Sequence, residues 1–299
     1  MKSIFFLYLK GAAMGAADIV PGVSGGTIAL ITGIYEELIS SIKNINSKLF
    51  KILLKNGIKE FWSALNGNFL LVLLIGILSS VILLAQVIVF LLDNHEFKLW
   101  GFFFGLIIAS AFLILKDIQS HNIKSIFLIL FGILIAVTIS LSSTTSFPNS
   151  DVFIFLTGSI AIIAMILPGI SGSFILLLLS KYELIINAIK DLDFRVISVF
   201  GLGCICGLLL FSRLLHFLFQ NYENNLLSAL SGFLIGSLIK IWPFRKVIET
   251  RIDSSGIEEA VITQPVIPTS QDMESFLMFL LFSIFGFLLI TLIQKKTIF

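Results

Sequence analysis

Charge is what this chain has least of. Asp, Glu, Lys and Arg make up 13% of its 299 residues, where soluble domains carry about 25%. No globular interior could hide the 57% that are hydrophobic. With a mean hydropathy of +1.06, lipid must be the solvent for much of the surface. A net charge of only +2 gives no electrostatic footprint for nucleic acid, so the few charges inform by position rather than by sum. Cysteine is nearly missing. Cys204 and Cys206 stand two apart in an apolar run, on roughly opposite faces of a helix, so they neither pair nor share a metal. His95, His121 and His216 are scattered without zinc-type spacing, and no metal or cofactor is expected. A cleavage site after a long apolar core is lacking too: Met1–Leu9 runs straight into Lys10 and a Gly/Pro motif, so no cleavable signal peptide is expected.

What is present is apolar length. Stretches able to span about 30 Å of hydrocarbon lie at 67–92, 97–115, 123–142, 194–219, 224–242 and 273–294. Two more, 3–42 and 151–188, are interrupted by Pro and Gly near their middle. Unwound backbone at membrane depth survives only inside protein or beside a wet cavity. Both regions therefore read as re-entrant helix-break-helix hairpins, with full crossing by both arms as the alternative. Residues 43–66 interleave Lys43, Lys48, Lys51, Lys55 and Lys59 with Phe50, Leu53, Leu54, Ile58, Phe61 and Trp62, the pattern of an amphipathic helix on the membrane surface. The acidic stretch 244–272, with Pro265 and Pro268, reads as a polar loop.

Loop charges orient the chain. The lysines of 43–66, Lys116 and Lys124, and the Lys295-Lys296 tail should be cytoplasmic, with 93–96 and 143–150 outside. Both termini then fall inside, which predicts a multi-pass protein of the bacterial cytoplasmic membrane. Arg245, Lys246 and Arg251 fall on the outside in this arrangement.

The chain also repeats itself. Pro21-Gly22-Val23-Ser24-Gly25-Gly26 returns as Pro168-Gly169-Ile170-Ser171-Gly172-Ser173, 147 residues on (21 to 168), and the same step carries Tyr35-Glu36 to Tyr182-Glu183. A second echo links Gly101-Phe102 and Gly105 with Gly232-Phe233 and Gly236, 131 residues on (101 to 232). Each half, 1–142 and 151–299, is thus one hairpin plus three spans. Odd net crossings per half turn the second copy upside down, the inverted-repeat architecture of secondary transporters. The fold class expected is an all-α polytopic membrane protein of two inverted-topology repeats.

The run Asp18-Ile19-Val20-Pro21-Gly22-Val23-Ser24-Gly25-Gly26-Thr27, the later Pro168–Phe174 copy and the two Tyr-Glu pairs resemble the polyprenyl-phosphate transporter family, the PopT-type undecaprenyl-phosphate translocases. The resemblance covers nearly the whole chain. It implies a flippase that returns undecaprenyl phosphate from the outer to the cytoplasmic leaflet for reuse in peptidoglycan and other wall polymers. Its partners would be that lipid and the surrounding phospholipid; a homo-oligomer is left open.

The residues suit a lipid phosphate. Glycines after a proline let backbone approach a ligand, and a helix starting near Ser24 or Ser171 turns free N–H groups and a positive dipole end toward an anion. The substrate-binding set expected is Pro21, Gly22, Ser24, Gly25, Gly26 and Thr27 in one half, and Pro168, Gly169, Ser171, Gly172 and Ser173 in the other. Arg213 joins it as the formal cation inside a span. The plainer reading is that Pro and Gly only kink two helices for close packing. Asp18, whose counterpart is Met165, is an acid at membrane depth; it reads as a proton or Na⁺ site, a partner for a cation, or a helix cap. Arg213 equally reads as snorkelling to the interface. Glu36 and Glu183, with Glu37 and Lys181, stand where the hairpins return to the surface, solvated or gate-forming.

Other classes compete. An ion-coupled carrier or channel for a small anionic solute needs the same hairpins. Gly22, Ser24 and Gly26 fit the Gly-x-Ser-x-Gly of a serine hydrolase, with His216 as base, but no strand builds the elbow. Ser212-Arg213 and His216 resemble an acid phosphatase signature at the wrong spacing. Transport without chemistry is the expectation.

Overall fold

The computed structural model describes residues 2–20, 23–119, 122–142, 144–145, 147–252 and 258–297. The first half comprises α1 (Lys2–Ile19), α2 (Gly25–Ile31), α3 (Tyr35–Lys43), α4 (Ser47–Asn56), α5 (Ile58–Ala64), α6 (Gly67–Asp117) and α7 (Ile123–Leu141). The second comprises α8 (Asp151–Ile166), α9 (Gly172–Leu178), α10 (Tyr182–Lys190), α11 (Phe194–Ile241), β1 (Arg245–Ile252), β2 (Glu258–Pro265) and α12 (Met273–Thr297). The protein is an all-α polytopic membrane protein. The apolar windows of α6, α7, α11 and the α12 segment are long enough to span, and only 11% to 22% of each is buried within the chain, leaving the rest for lipid.

Where loops are expected at 93–96 and near 220–223, the helices instead run on through a kink. Only His95 (φ −143°, ψ 37°) leaves the helical region within α6, and only Tyr222 (φ −143°, ψ 39°) within α11. Just before each kink an asparagine amide donates to the carbonyl four residues back, Asn94 to Phe90 at 2.9 Å and Asn221 to Phe217 at 2.8 Å. Such back-bonding bends a helix without ending it. Each arm still carries the roughly 20 residues a crossing needs.

Glycine contacts tie the arms together. A Cβ on Gly11 or Gly15 of α1 would collide with the α6 backbone at Leu73 and Ile77, and one on Gly158 of α8 with α11 at Phe200. The second arm of α6 presses Gly101 and Gly105 onto α12 at Phe279 and Ser283; the second arm of α11 presses Gly232 and Gly236 onto α7 at Ile129 and Ile133. The later arm of each long helix thus packs on a helix from the other half, and the two halves interlock.

Three expectations need correction. The return arm of each hairpin is a pair of short helices rather than a single one: α9 and α10 meet at 111°, because Ser180 takes a left-handed turn (φ 51°), as Gly33 (φ 71°) does between α2 and α3. The 43–66 segment is split into α4 and α5 by Gly57 at φ 86°, with Phe50, Leu54 and Ile58 exposed. Within 244–272 the polar loop folds into the antiparallel hairpin β1–β2, Arg245 opposite Pro265. It is anchored by Val266 N–H donating to the Phe244 carbonyl (2.9 Å) and Trp242 Nε1 to that of Val266 (2.9 Å), above a cluster in which Phe97 stacks on Phe244 at 5.0 Å.

Candidate functional site

The two breaks meet. Ser24 precedes α2 in extended conformation; its Oγ accepts from Gly26 N–H at 3.0 Å and donates to the Met165 carbonyl at 2.8 Å. The Tyr35 hydroxyl donates to the next carbonyl, Ile166, at 3.1 Å. In return, Gly169 N–H donates to Thr27 Oγ1 at 3.0 Å. Two of the carbonyls at the C-terminus of α8, where a helix leaves its last acceptors unpaired, are thus satisfied by first-half hydroxyls, as membrane depth demands. Ser24 and Thr27 are fully buried. Gly26 has no room for a side chain, because a Cβ would collide with the Ile166 carbonyl. Gly169 sits at φ +93° with Ser237 Oγ 2.7 Å from where its Cβ would be.

The breaks are electrostatically unlike. In the first, Asp18 Oδ1 accepts from Gly25 N–H at 2.6 Å, so a carboxylate already occupies the start of α2. In the second, Met165 stands where Asp18 does, and Ser171 makes no side-chain cap; its hydroxyl bonds that of Ser173 at 2.6 Å. Among the described residues the amides of Gly172 and Ser173 have no acceptor. At seven residues each, α2 and α9 are too short for much dipole, so the expected attraction of paired helix ends is weak here.

The hairpins are also unequally docked. Tyr35 is 1% exposed and packs on Phe219 of α11 with ring centroids 5.8 Å apart, and Glu36 accepts from Gln220 Nε2 at 3.1 Å. Lys10 of α1 donates to the Thr32 carbonyl at 2.6 Å, tying the turn between α2 and α3 to α1. The matched Tyr182 is 38% exposed; it and Glu183 have no hydrogen-bond partner among the described residues, and α10 barely touches α6 where α3 lies along α11. Lys181 is buried rather than solvated, donating to the carbonyls of Phe147 and Pro148 and to Asn149.

Of the expected site, Ser24, Gly25, Gly26, Thr27, Gly169 and Asp18 come together, with Ser171, Gly172 and Ser173 starting the adjoining α9. Pro168 is buried at the same turn. Pro21 and Gly22 lie outside the described residues. Arg213 is elsewhere: exposed, it donates to the Ile45 carbonyl at 3.3 Å, while Asp18 is bonded to Gly25, so the two do not pair. The hydroxyl of Ser24 is taken by Met165, and His216 Nδ1 is buried without a partner among the described residues, so Ser24 and His216 do not pair. Sequence reasoning passed over Tyr35 as a bridge and Lys240, whose ammonium lies 3.8 Å from the Phe174 ring centroid. The charge of Lys240 at the end of a span was the available signal.

No solved structure matches the chain. A polyprenyl-phosphate transporter of Vibrio cholerae is 41% identical over 261 residues, covering 87% of this chain and 85% of that protein. A polyprenyl-phosphate transporter of Staphylococcus aureus is 33% identical over 253 residues, covering 79% and 85%. The family description "undecaprenyl phosphate translocase-like" matches residues 14–259, a range holding both breaks, both Tyr-Glu pairs and both kinked helices. By sequence over most of its length, the chain belongs to the undecaprenyl phosphate translocase-like family.

Proposed function

We propose that this protein carries a polyprenyl phosphate across the bacterial cytoplasmic membrane, returning undecaprenyl phosphate from the outer to the cytoplasmic leaflet for reuse in wall synthesis. Family membership over residues 14–259 is the observation that carries the reading. The lipid leaves as it arrived, with no bond made or broken, and the chain acts as a transporter rather than an enzyme.

The repeated element order supports an inverted pair of repeats with both termini cytoplasmic. In that frame the α2–α3 hairpin closes the cytoplasmic side and the α9–α10 hairpin controls the outer side. The tight seat of Tyr35 and the loose one of Tyr182 support an outward-facing state. Transport would then exchange the two: α10 docks on α6, α3 releases from α11, and the substrate at the breaks changes sides. Asp18, Glu36 and Glu183 are the groups such a cycle offers for gating or for coupling to a proton or Na⁺.

The test is purified protein in liposomes, following leaflet-to-leaflet movement of a labelled polyprenyl phosphate, with the neutral polyprenol and a small anion as comparisons. Accelerated movement of the lipid phosphate alone supports the reading. Movement of the small anion without the lipid would replace it with a solute carrier.

A further inference from the structure

Beside the second break, α11 touches Gly169 through Ser237 and reaches Lys240 one turn later. The ammonium turns back over α9, 3.8 Å from the Phe174 ring centroid. Phe174 directly follows Ser173, so one short stretch carries the ring beneath the cation and the paired hydroxyls of Ser171 and Ser173.

Three ordinary uses of such a lysine do not apply. Capping of the helix end falls to Arg245, whose Nη1 donates to the Ile239 carbonyl at 2.8 Å while Nε holds Thr263 Oγ1 at 2.7 Å. An ion pair is missing: among the described residues no carboxylate bonds Lys240. Snorkelling would carry the ammonium into water, whereas here it lies over the buried Phe174 ring. A cation–π contact offsets only part of the cost of holding a charge in a span, so Lys240 is a cation in want of an anion. Arg245 adds a second positive charge beside it. The first break is the opposite case, with Asp18 seated on it and Ala109 at the position matching Lys240, 131 residues earlier (109 to 240).

We propose that Lys240, with Arg245 nearby and the hydroxyls of Ser171 and Ser173, is the contact that takes the phosphate monoester head group at the second break. This rests on the lipid-phosphate reading above. The asymmetry gives the pathway a sense: an anion is drawn to the second break and meets the Asp18 carboxylate at the first.

The full chain in lipid nanodiscs would be titrated with fluorescent farnesyl phosphate and, separately, with the matching neutral prenol. K240Q should weaken phosphate binding about tenfold to a hundredfold, the loss of one charge-assisted contact, and leave the prenol unchanged. K240R should stay within about threefold, since charge is kept. Where K240Q lowers thermal stability, K240M, which keeps the stem over Phe174, carries the same expectation. Inorganic phosphate that displaces the probe from wild type but not from K240Q would show that the head group suffices. Failure to displace it, with K240Q still weak, would show that the site takes phosphate only on a chain. K240Q and K240M binding farnesyl phosphate as tightly as wild type, or losing phosphate and prenol equally, would overturn the proposal. Wild type that binds neither probe would bring down the lipid-phosphate reading itself.

Discussion

The hydroxyl of Ser24 donates to the carbonyl of Met165 at 2.8 Å, joining the first break to the foot of the second across 141 residues of chain. The same oxygen accepts from Gly26 N–H, so one atom caps α2 and satisfies the end of α8. Ser171, its counterpart, does neither. S24A should therefore cost about 1–2 kcal/mol of stability, the usual loss of a cap and a buried bond. S171A, which forfeits only the contact with the Ser173 hydroxyl, should cost less, about 0.5–1 kcal/mol, and both should slow transport. Thermal unfolding in detergent beside a liposome assay reads both; equal stability losses would erase the asymmetry.

The two tyrosines allow a sharper separation. Y35F leaves the Ile166 carbonyl without its donor and should destabilise by about 1–3 kcal/mol. Y182F removes a hydroxyl that has no partner in this state, so stability should hold. If α10 docks as α3 does, Y182F should nevertheless slow transport, because the bond it forfeits belongs to the other state. Unchanged transport in Y182F would argue that α10 never docks.

Ser180 holds φ 51° where its counterpart Gly33 holds 71°. A left-handed non-glycine residue carries about 1–2 kcal/mol of strain. S180G should thus raise stability by up to about 1 kcal/mol, and G33S should lower it, after allowance for the chain entropy of glycine. The midpoint of thermal unfolding distinguishes these signs directly.

Much of this was legible in the sequence, and the exceptions share a cause. The spans, the breaks and the doubled motif follow from hydropathy and from a repeat held at one spacing. The kinks at His95 and Tyr222 were not legible, because polar residues at a turn look alike whether a helix stops or bends around one residue. The β1–β2 hairpin was hidden by prolines at its far end. Arg213 and Lys240 are both cations in apolar runs, and sequence reasoning drew attention to Arg213 alone. What separates them is side-chain direction, toward Ile45 in one case and over Phe174 in the other, which depends on helices far apart in the chain.

Orientation has its own test. With Cys204 and Cys206 replaced by serine, a cysteine at Glu183 should react with a membrane-impermeant maleimide on intact cells. One at Lys48 should react only after permeabilisation. The reverse pattern would invert the topology and, with it, the direction of transport assigned to the unequal hairpins.

Alternation of the hairpins is tested most directly by locking the docked one. Glu36 and Gln220 touch at 3.1 Å; cysteines there, in the Cys204→Ser, Cys206→Ser background, can be joined by a short reducible thiol cross-linker. Leaflet-to-leaflet movement of labelled polyprenyl phosphate is then followed before cross-linking, after it, and after reduction. Alternate docking predicts that movement stops when α3 is tied to α11 and resumes when the link is cut. Undiminished movement through fully cross-linked protein would contradict it.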